Sequence, residues 1–489
     1  APPDWRQLAK RIHHAHARAV RVPRSLKAEL RDYQREGFVW LARLTSWGAG
    51  ACLADDMGLG KTVQALALLL SRAAMGPALV VAPTSLRGNW MREADRFAPS
   101  LRVHVWQDAD RDSLPARLGP RDVLIISYGL LTRDAAKLAD VTFATLVVDE
   151  AQAVKNPDTA RARALRGVKA EARVALTGTP VENRLSELWS LFHLLFPGLL
   201  GGRESFHARF AIPIERDRNA DARASLARLV RPFLLRRTKA QVARELPPRV
   251  ETVVPVTLSD AERRVYDDVR LAALARLGEG TPGGDQRFEM LAALTRLRLA
   301  ACHPRLVDPD TGLSSSKLER VLERVDELLA EGGRALVFSQ FVRHLALVRD
   351  ALEARGISFQ YLDGRTPAAE RQARVEAFQR GEGALFLISL KAGGTGLNLT
   401  GADHVLHLDP WWNPAVEDQA SDRAHRIGQT RPVTVSRFVS EGTIEEAILA
   451  LHAEKRDLAD SLLSEADGAA ALSPAQLLGL LRFGGIRED

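Results

Sequence analysis

The chain has 489 residues, 46% hydrophobic and 26% charged, enough for about three domain-sized units with buried cores, or two large ones with insertions. It has no run of about 18 apolar residues, so no membrane-spanning helix is expected, and the opening APPDWRQLAK lacks the charged-then-apolar layout of a secretory signal. The net charge of +7 permits a nucleic-acid partner without requiring one, because solvated arginines on helix faces give the same balance.

Residues 1–24 are basic and carry His13, His14 and His16, with no cysteine nearby; a solvated helix face is expected rather than a metal site. Residues 30–44, LRDYQREGFVWLARL, place Phe38, Leu41 and Leu44 on one side of a helix. Gln34 is either a surface amide or a reader of adenine, since an amide can make two hydrogen bonds to a base edge. The apolar run 51–54, with Cys52, then reads as a strand. A glycine loop, DDMGLGKT (55–62), leads into an apolar helical pattern from Val63 to Leu70. Strand, glycine loop and helix is the layout that cradles nucleotide phosphates. Gly58 and Gly60 let backbone N–H groups approach, Lys61 reaches the β/γ-phosphates and the Thr62 hydroxyl holds Mg²⁺. Asp55 stands where the generic loop has its first glycine.

Near-continuous apolar runs follow at 78–82, 123–126, 145–148 and 173–176, alternating with helical patterns. Such runs predict a parallel sheet covered on both faces. Each ends in a polar cluster, and ligands of these sheets bind at the carboxyl ends of strands. The clusters are Pro83-Thr84-Ser85, Ser127-Tyr128, Asp149-Glu150-Ala151-Gln152 and Thr177-Gly178-Thr179-Pro180. Asp149 in such a place can hold Mg²⁺ and Glu150 can orient or deprotonate a water.

Residues 197–305 read as mostly helical, with basic clusters around Arg231 and Arg236-Arg237, a breaker at Leu246-Pro247-Pro248 and a glycine-rich loop at 278–285. Cys302-His303 closes a helical pattern and is expected in a core; Cys52 likewise, both suiting a reducing compartment. A second alternating unit has strands at 335–338, 359–362, 385–388, 405–408 and 433–438 but no phosphate loop. It carries QASDRAHRIGQ (419–429), in which Arg423 and Arg426 share a face if the stretch is helical. On spacing alone, two solvated arginines are the favoured reading. As arginine fingers they would meet charge spreading on a γ-phosphate. The tail, 441–489, reads as amphipathic helix with a break near 468.

Taken together these stretches resemble the Swi/Snf-type ATPases, the branch of superfamily 2 helicases that translocates on double-stranded DNA. The resemblance spans about 28–465 and rests on LRDYQ, DDMGLGKT, APTSLRGNW (82–90), ISYGLL (126–131), DEAQAVKNP (149–157), LTGTPVEN (176–183), LWSLFHLLFPGLLG (188–201), FLLRRTK (233–239), VFSQF (337–341), YLDGRT (361–366), SLKAGGTGLNL (389–399), DPWWNP (409–414) and DRAHRIGQ (422–429). Asp55 in the phosphate loop matches that family, and Gln152 departs from it, since most members carry His there.

The resemblance implies two RecA-like parallel-sheet lobes with helical insertions and a helical C-terminal tail. The expected division is an extension at 1–24, an ATP-binding lobe at 25–196, protrusions and linker at 197–312, a second lobe at 313–465 and a tail at 466–489. It implies ATP and Mg²⁺ as cofactors, held by Gln34, Asp55, Gly58, Leu59, Gly60, Lys61, Thr62, Asp149 and Gln152, with Glu150 activating water. Gly396, Arg423 and Arg426 would complete the site. Duplex DNA would be gripped by its backbone through Ser85, Arg87, Asn89, Ser127, Tyr128, Ser339, Gln340, Arg365, Thr366, Lys391 and Gly393, with Trp412 along the groove. The expected setting is the nucleoid-associated cytoplasm of a bacterium, or a nucleus if the source is eukaryotic. The chain begins at Ala1 without an initiator methionine, so a preceding targeting portion or a protein partner is expected outside it.

Overall fold

The structure is a computed structural model that describes residues 11–15, 19–106, 111–180, 184–243, 245–278, 284–393 and 397–452. It divides into two compact units between Arg244 and Glu245.

The first unit is built on strands β1 (Ala51–Leu53), β2 (Ala78–Ala82), β3 (Arg102–Val105), β4 (Asp122–Ser127), β5 (Thr142–Phe143), β6 (Thr145–Asp149), β7 (Lys169–Ala170), β8 (Arg173–Leu176) and β9 (Leu234–Leu235). Seven of them form one sheet in the order β3-β4-β2-β6-β8-β1-β9, every pair parallel, while β5 and β7 pair separately. Side chains alternate across a strand. Cys52, Leu79, Val81, Leu124, Ile126, Leu146, Val148 and Ala175 therefore enter one core. Their neighbours Leu53, Val80, Ile125, Val147 and Val174 enter the other, with helices Asp32–Ser46 and Lys61–Arg72. Helices over both faces are why these strands read as unbroken apolar runs.

The second unit has strands β10 (Arg249–Val256), β11 (Ala335–Ser339), β12 (Phe359–Leu362), β13 (Leu385–Ser389), β14 (His404–His407) and β15 (Val433–Ser440). They form a second all-parallel sheet in the order β10-β15-β14-β11-β13-β12. Leu336, Phe338, Phe386 and Ile388 line one core; Val337, Leu385, Leu387, Leu406 and Leu408 line the opposite one. Two long helices, Asp260–Gly278 and Gly284–Cys302, form a hairpin with its own core of Tyr266, Leu294, Leu297, Ile444 and Ile448.

The architecture of two parallel-sheet units with helical insertions is as expected. Four details differ. Residues 197–305 contain β9 and β10, each at the edge of a different sheet, and the break at Leu246-Pro247-Pro248 marks the passage between units. Both strands were hidden: β9 is two residues long and β10 is a largely exposed edge with Pro255 in it. Strand β3, an edge of mixed polarity, was also hidden. Finally, helix Pro414–Ser421 stops before Asp422, so Arg423 and Arg426 lie in successive turns and not on one helical face. Most of the tail (453–489), the centre of the glycine-rich loop (279–283), His16 and Gly396 lie outside the described residues.

Candidate active site

In the first unit β1 ends at Leu53 and the chain turns through Asp55 to Gly60 into helix Lys61–Arg72. Gly58 (φ 84°) and Gly60 (φ 77°) are left-handed, a conformation glycine adopts without the steric cost a Cβ would bring. Lys61 Nζ donates to the carbonyls of Asp55 (2.5 Å) and Asp56 (3.2 Å), so the ammonium lies across the loop, with no carboxylate bonded to it among the described residues. Thr62 is half-buried on the first turn of the helix.

Gln34 packs against this loop. Its Nε2 donates to the Leu59 carbonyl (3.1 Å), its Oε1 accepts from the Arg31 N–H, and the same Nε2 lies 2.5 Å from where a Cβ on Gly60 would stand.

Asp55 has a different task from the expected one. Its carboxylate is fully buried and receives Arg237 Nε at 2.9 Å and Nη2 at 2.6 Å. Arg237 also donates to Gln64 Oε1 (3.1 Å) and to the Tyr33 carbonyl, and lies over the Tyr33 ring. Asp55 therefore anchors the phosphate loop to the residues just after β9, with both carboxylate oxygens bonded to Arg237. Gly37 packs closely beside it: an added Cβ would stand 2.0 Å from Gln64 Oε1 and 2.6 Å from Arg237 Nη2, so both side-chain ends would have to shift.

At the end of β6, Asp149 is 9% exposed and accepts from the indole N–H of Trp90 at 2.8 Å. Burial, reinforced by the charge of Glu150, pushes its carboxyl up to about 7, against the pull of Trp90 and Lys61. Glu150 has φ 49° without being glycine, a strained backbone next to Asp149. Gln152 Nε2 donates to Glu150 Oε2 (2.7 Å) and Gln152 Oε1 accepts from Thr177 Oγ1 (2.8 Å). One amide thus joins the acid pair to the turn after β8. Thr62 and Asp149 are hard oxygen donors of the sort Mg²⁺ takes. Two adjacent carboxylates, one of them enclosed and with its ionised form disfavoured by burial, form a place that a cation relieves. The residues present fit ATP with Mg²⁺.

The residues expected to meet DNA divide into two groups. Ser85, Arg365 and Lys391 are exposed, and Arg87, Asn89, Gln340, Thr366 and Trp412 are half-buried. Gly393 ends the short helix after β13. Ser127, Tyr128 and Ser339 are enclosed. Ser127 caps helix Tyr128–Asp134 and the Tyr128 hydroxyl donates to the Asp149 carbonyl at 2.6 Å. Ser339 bonds the Asp409 carboxylate. These three hold the ends of strands and are not surface contacts. Trp90 and Arg237 were not singled out from sequence, although both stand inside the quoted stretches.

In the second unit Arg423 is buried and Arg426 half-buried. Their turns are pinned by His425, whose ring meets the Pro247 carbonyl at 2.9 Å, and by Gln429 Nε2, which donates to the Ala402 carbonyl at 2.7 Å. Cys302, His344 and Asp409 bring their ligand atoms within 4.8 Å of one another, a cluster invisible in sequence. Buried cations already serve this region: Arg298 is 3.8 Å from Asp409, and Lys317 is paired with Glu445, which receives the Cys302 thiol. Burial holds that thiol protonated. A further cation is thus opposed there, and the group is core, as expected for Cys302.

A glycine phosphate loop at the carboxyl edge of a parallel sheet, with an acid pair two strands away, defines a nucleoside-triphosphate-binding protein. A profile of the SNF2-related domain matches residues 33–306, more than half of the chain, and a profile of the helicase conserved C-terminal domain matches 316–428. The chain belongs to the SNF2-related family. It is 42% identical over 472 residues to a putative ATP-dependent helicase/translocase, YwqA, of Bacillus subtilis, covering 94% of this chain and 51% of that protein. It is 35% identical over 492 residues to an ISWI chromatin-remodeling complex ATPase of Arabidopsis thaliana, covering 96% of this chain and 46% of that one. The Sulfolobus solfataricus SWI2/SNF2 ATPase core, solved in complex with dsDNA, is 34% identical over 95% of this chain and 100% of its own, with a TM-score of 0.46. The chain spans about half the length of the curated relatives it matches. Among the described residues no helix is long and apolar enough to cross a membrane.

Proposed function

We propose that the chain hydrolyses ATP in response to duplex DNA and couples each cycle to closure and opening of its two units, moving along DNA and remodelling protein–DNA complexes. The observation that carries this reading is the bonded series Glu150–Gln152–Thr177 beside Lys61 and Asp149. Mg²⁺, held by Thr62 and Asp149, would neutralise the β/γ-phosphates. Backbone N–H groups from Gly58 to Gly60 and the Lys61 ammonium bind the phosphates, and Gln34 meets the adenine. Glu150 takes the proton of the attacking water. Arg423 and Arg426 donate to the γ-phosphate as charge spreads on it, and Gly396 belongs to the same set. Ser85, Arg87, Asn89, Gln340, Arg365, Thr366, Lys391, Gly393 and Trp412 grip the DNA backbone, so binding is independent of sequence and weakens steeply with salt. A bacterial cytoplasmic setting at the nucleoid fits the YwqA relative, and targeting falls to a partner or to sequence outside this chain.

The test is ATP turnover with no polymer, duplex DNA, single-stranded DNA and RNA. Strong stimulation by duplex alone, lost in Glu150→Gln while nucleotide still binds, is the expected outcome. Equal stimulation by RNA or single strands would overturn the duplex assignment, and no turnover under any condition would overturn the enzyme.

A further inference from the structure

Arg298, the buried cation near Asp409, is only 2% exposed and stands on helix Gly284–Cys302 of the hairpin. Its guanidinium lies over three rings at once: Phe341 at 5.1 Å, Trp411 at 5.2 Å and Trp412 at 5.4 Å. One Nη donates to the Pro410 carbonyl at 2.8 Å and stands 3.8 Å from Asp409. These partners belong to two turns, one after β11 and one after β14. The turns are further joined by Asp409, which receives the Ser339 hydroxyl and, at 3.2 Å, the Gln340 N–H. Burying a guanidinium is costly unless it is paired. Its flat shape stacks on aromatic faces in a way an ammonium does not reproduce. Arg298 is thus the common neighbour of the turn that carries Gln340 and the turn that carries Trp412.

We propose that Arg298 is a positioning residue for duplex DNA, fixing Gln340 and Trp412 in the arrangement that grips the backbone. This rests on the DNA reading given above. Trp412 also packs on the hairpin core of Leu294, Leu297 and Ile444, so the grip depends on how the hairpin is seated. A merely structural arginine would alter stability and every kinetic constant together; a positioning residue alters affinity for DNA selectively.

The test is fluorescence anisotropy of a labelled duplex, alongside ATP turnover against duplex concentration, for Arg298→Lys. The lysine keeps the charge and loses the flat stack. The Kd for duplex is expected to rise roughly tenfold, the equivalent of about 1.4 kcal/mol, while KM for ATP stays within twofold. Combining it with Trp412→Leu should add little to either single change, because both act on one grip. Trp411→Leu removes one wall of the arginine's cage without leaving a charge unpaired, and is expected to weaken duplex binding in the same direction; it stands in if the lysine variant does not fold. Unchanged duplex affinity in either folded variant, or additive losses with Trp412→Leu, would overturn the proposal. Failure of the unaltered protein to bind duplex at all would overturn the DNA reading with it, so the two failures are told apart.

Discussion

Asp55→Ala strikes the contact that links the phosphate loop to the last strand of the first unit. The change leaves Arg237, 8% exposed, without its carboxylate and still bonded only to Gln64 and the Tyr33 carbonyl. Removing one partner of a buried ion pair costs about 3–5 kcal/mol, because the remaining charge stays desolvated. That is a large share of the ~5–15 kcal/mol that keeps a domain folded. Removing both partners is much cheaper: Asp55→Ala with Arg237→Met replaces a buried charge by an apolar chain of similar length, and about half of the loss should return. The double-mutant cycle should therefore give a coupling energy of at least about 2 kcal/mol, since Arg237→Met alone also leaves a buried charge unpaired. The assay is urea unfolding followed by tryptophan fluorescence, scoring the transition that nucleotide shifts upward. Nucleotide affinity should fall in the single variants as well, since Tyr33 and Gln34 are seated by the same contact. Single losses that add to within 0.5 kcal/mol, the usual margin for independent sites, would refute the reasoning: Asp55 would then be no anchor.

Gln152→Ala removes the bridge between Glu150 and Thr177 and should lower kcat by roughly tenfold with KM for ATP little changed, since hydrogen bonds to a charged group contribute about 1.5–3 kcal/mol; steady-state kinetics at saturating duplex checks it. Gly37→Ala should lower Tm and weaken nucleotide binding, because its Cβ would force Gln64 and Arg237 apart; a thermal melt with and without nucleotide reads both. Asp122 is buried, which alone would raise its pKa, but hydrogen bonds from Arg102, His104 and the Gly119 N–H outweigh burial and hold it down to about 2. A folded pKa below the unfolded ~3.9 stabilises fully above about pH 4, and that contribution is lost as pH falls through about 2. Asp122→Asn should accordingly cost at most about 2 kcal/mol at neutral pH, less for the exposure of Arg102, and nothing near pH 2, as measured by denaturant unfolding across that range.

What was legible in the sequence was whatever obeys a local period. Leu79, Val81, Leu124 and Ile126 announce a doubly covered sheet because burial on both faces leaves no polar position. The loop at Gly58 to Thr62 and the acids at Asp149-Glu150 announce their chemistry by following such runs. Edge strands do not: β10 leaves Val250 and Val253 half exposed and carries Glu251, so its composition reports solvent rather than sheet. Pairings between distant residues were equally hidden. Arg237 read as part of a basic cluster, and only folding shows that it closes on Asp55; His344 and Asp409 gave no hint of meeting. The spacing of the arginines in 422–429 puts them on one face only if the stretch is helical, and the chain leaves the helix at Ser421 and turns to reach Pro247 through His425.

The order β3-β4-β2-β6-β8-β1-β9 sets a schedule for a ribosome. β1 leaves the exit tunnel early, yet both of its neighbours, β8 and β9, are made last in their unit. At cellular synthesis rates the wait for β8 is on the order of ten seconds. During that time an apolar strand and the loop behind it have no edge to join. The strands that are able to pair without waiting are β2 with β4 and then β6, which make up the middle of the sheet. A pause placed after β9 in the message would give the unit time to admit β1 before the second unit's strands emerge, and a ribosome stalled before β8 would hold a nascent chain unable to retain nucleotide.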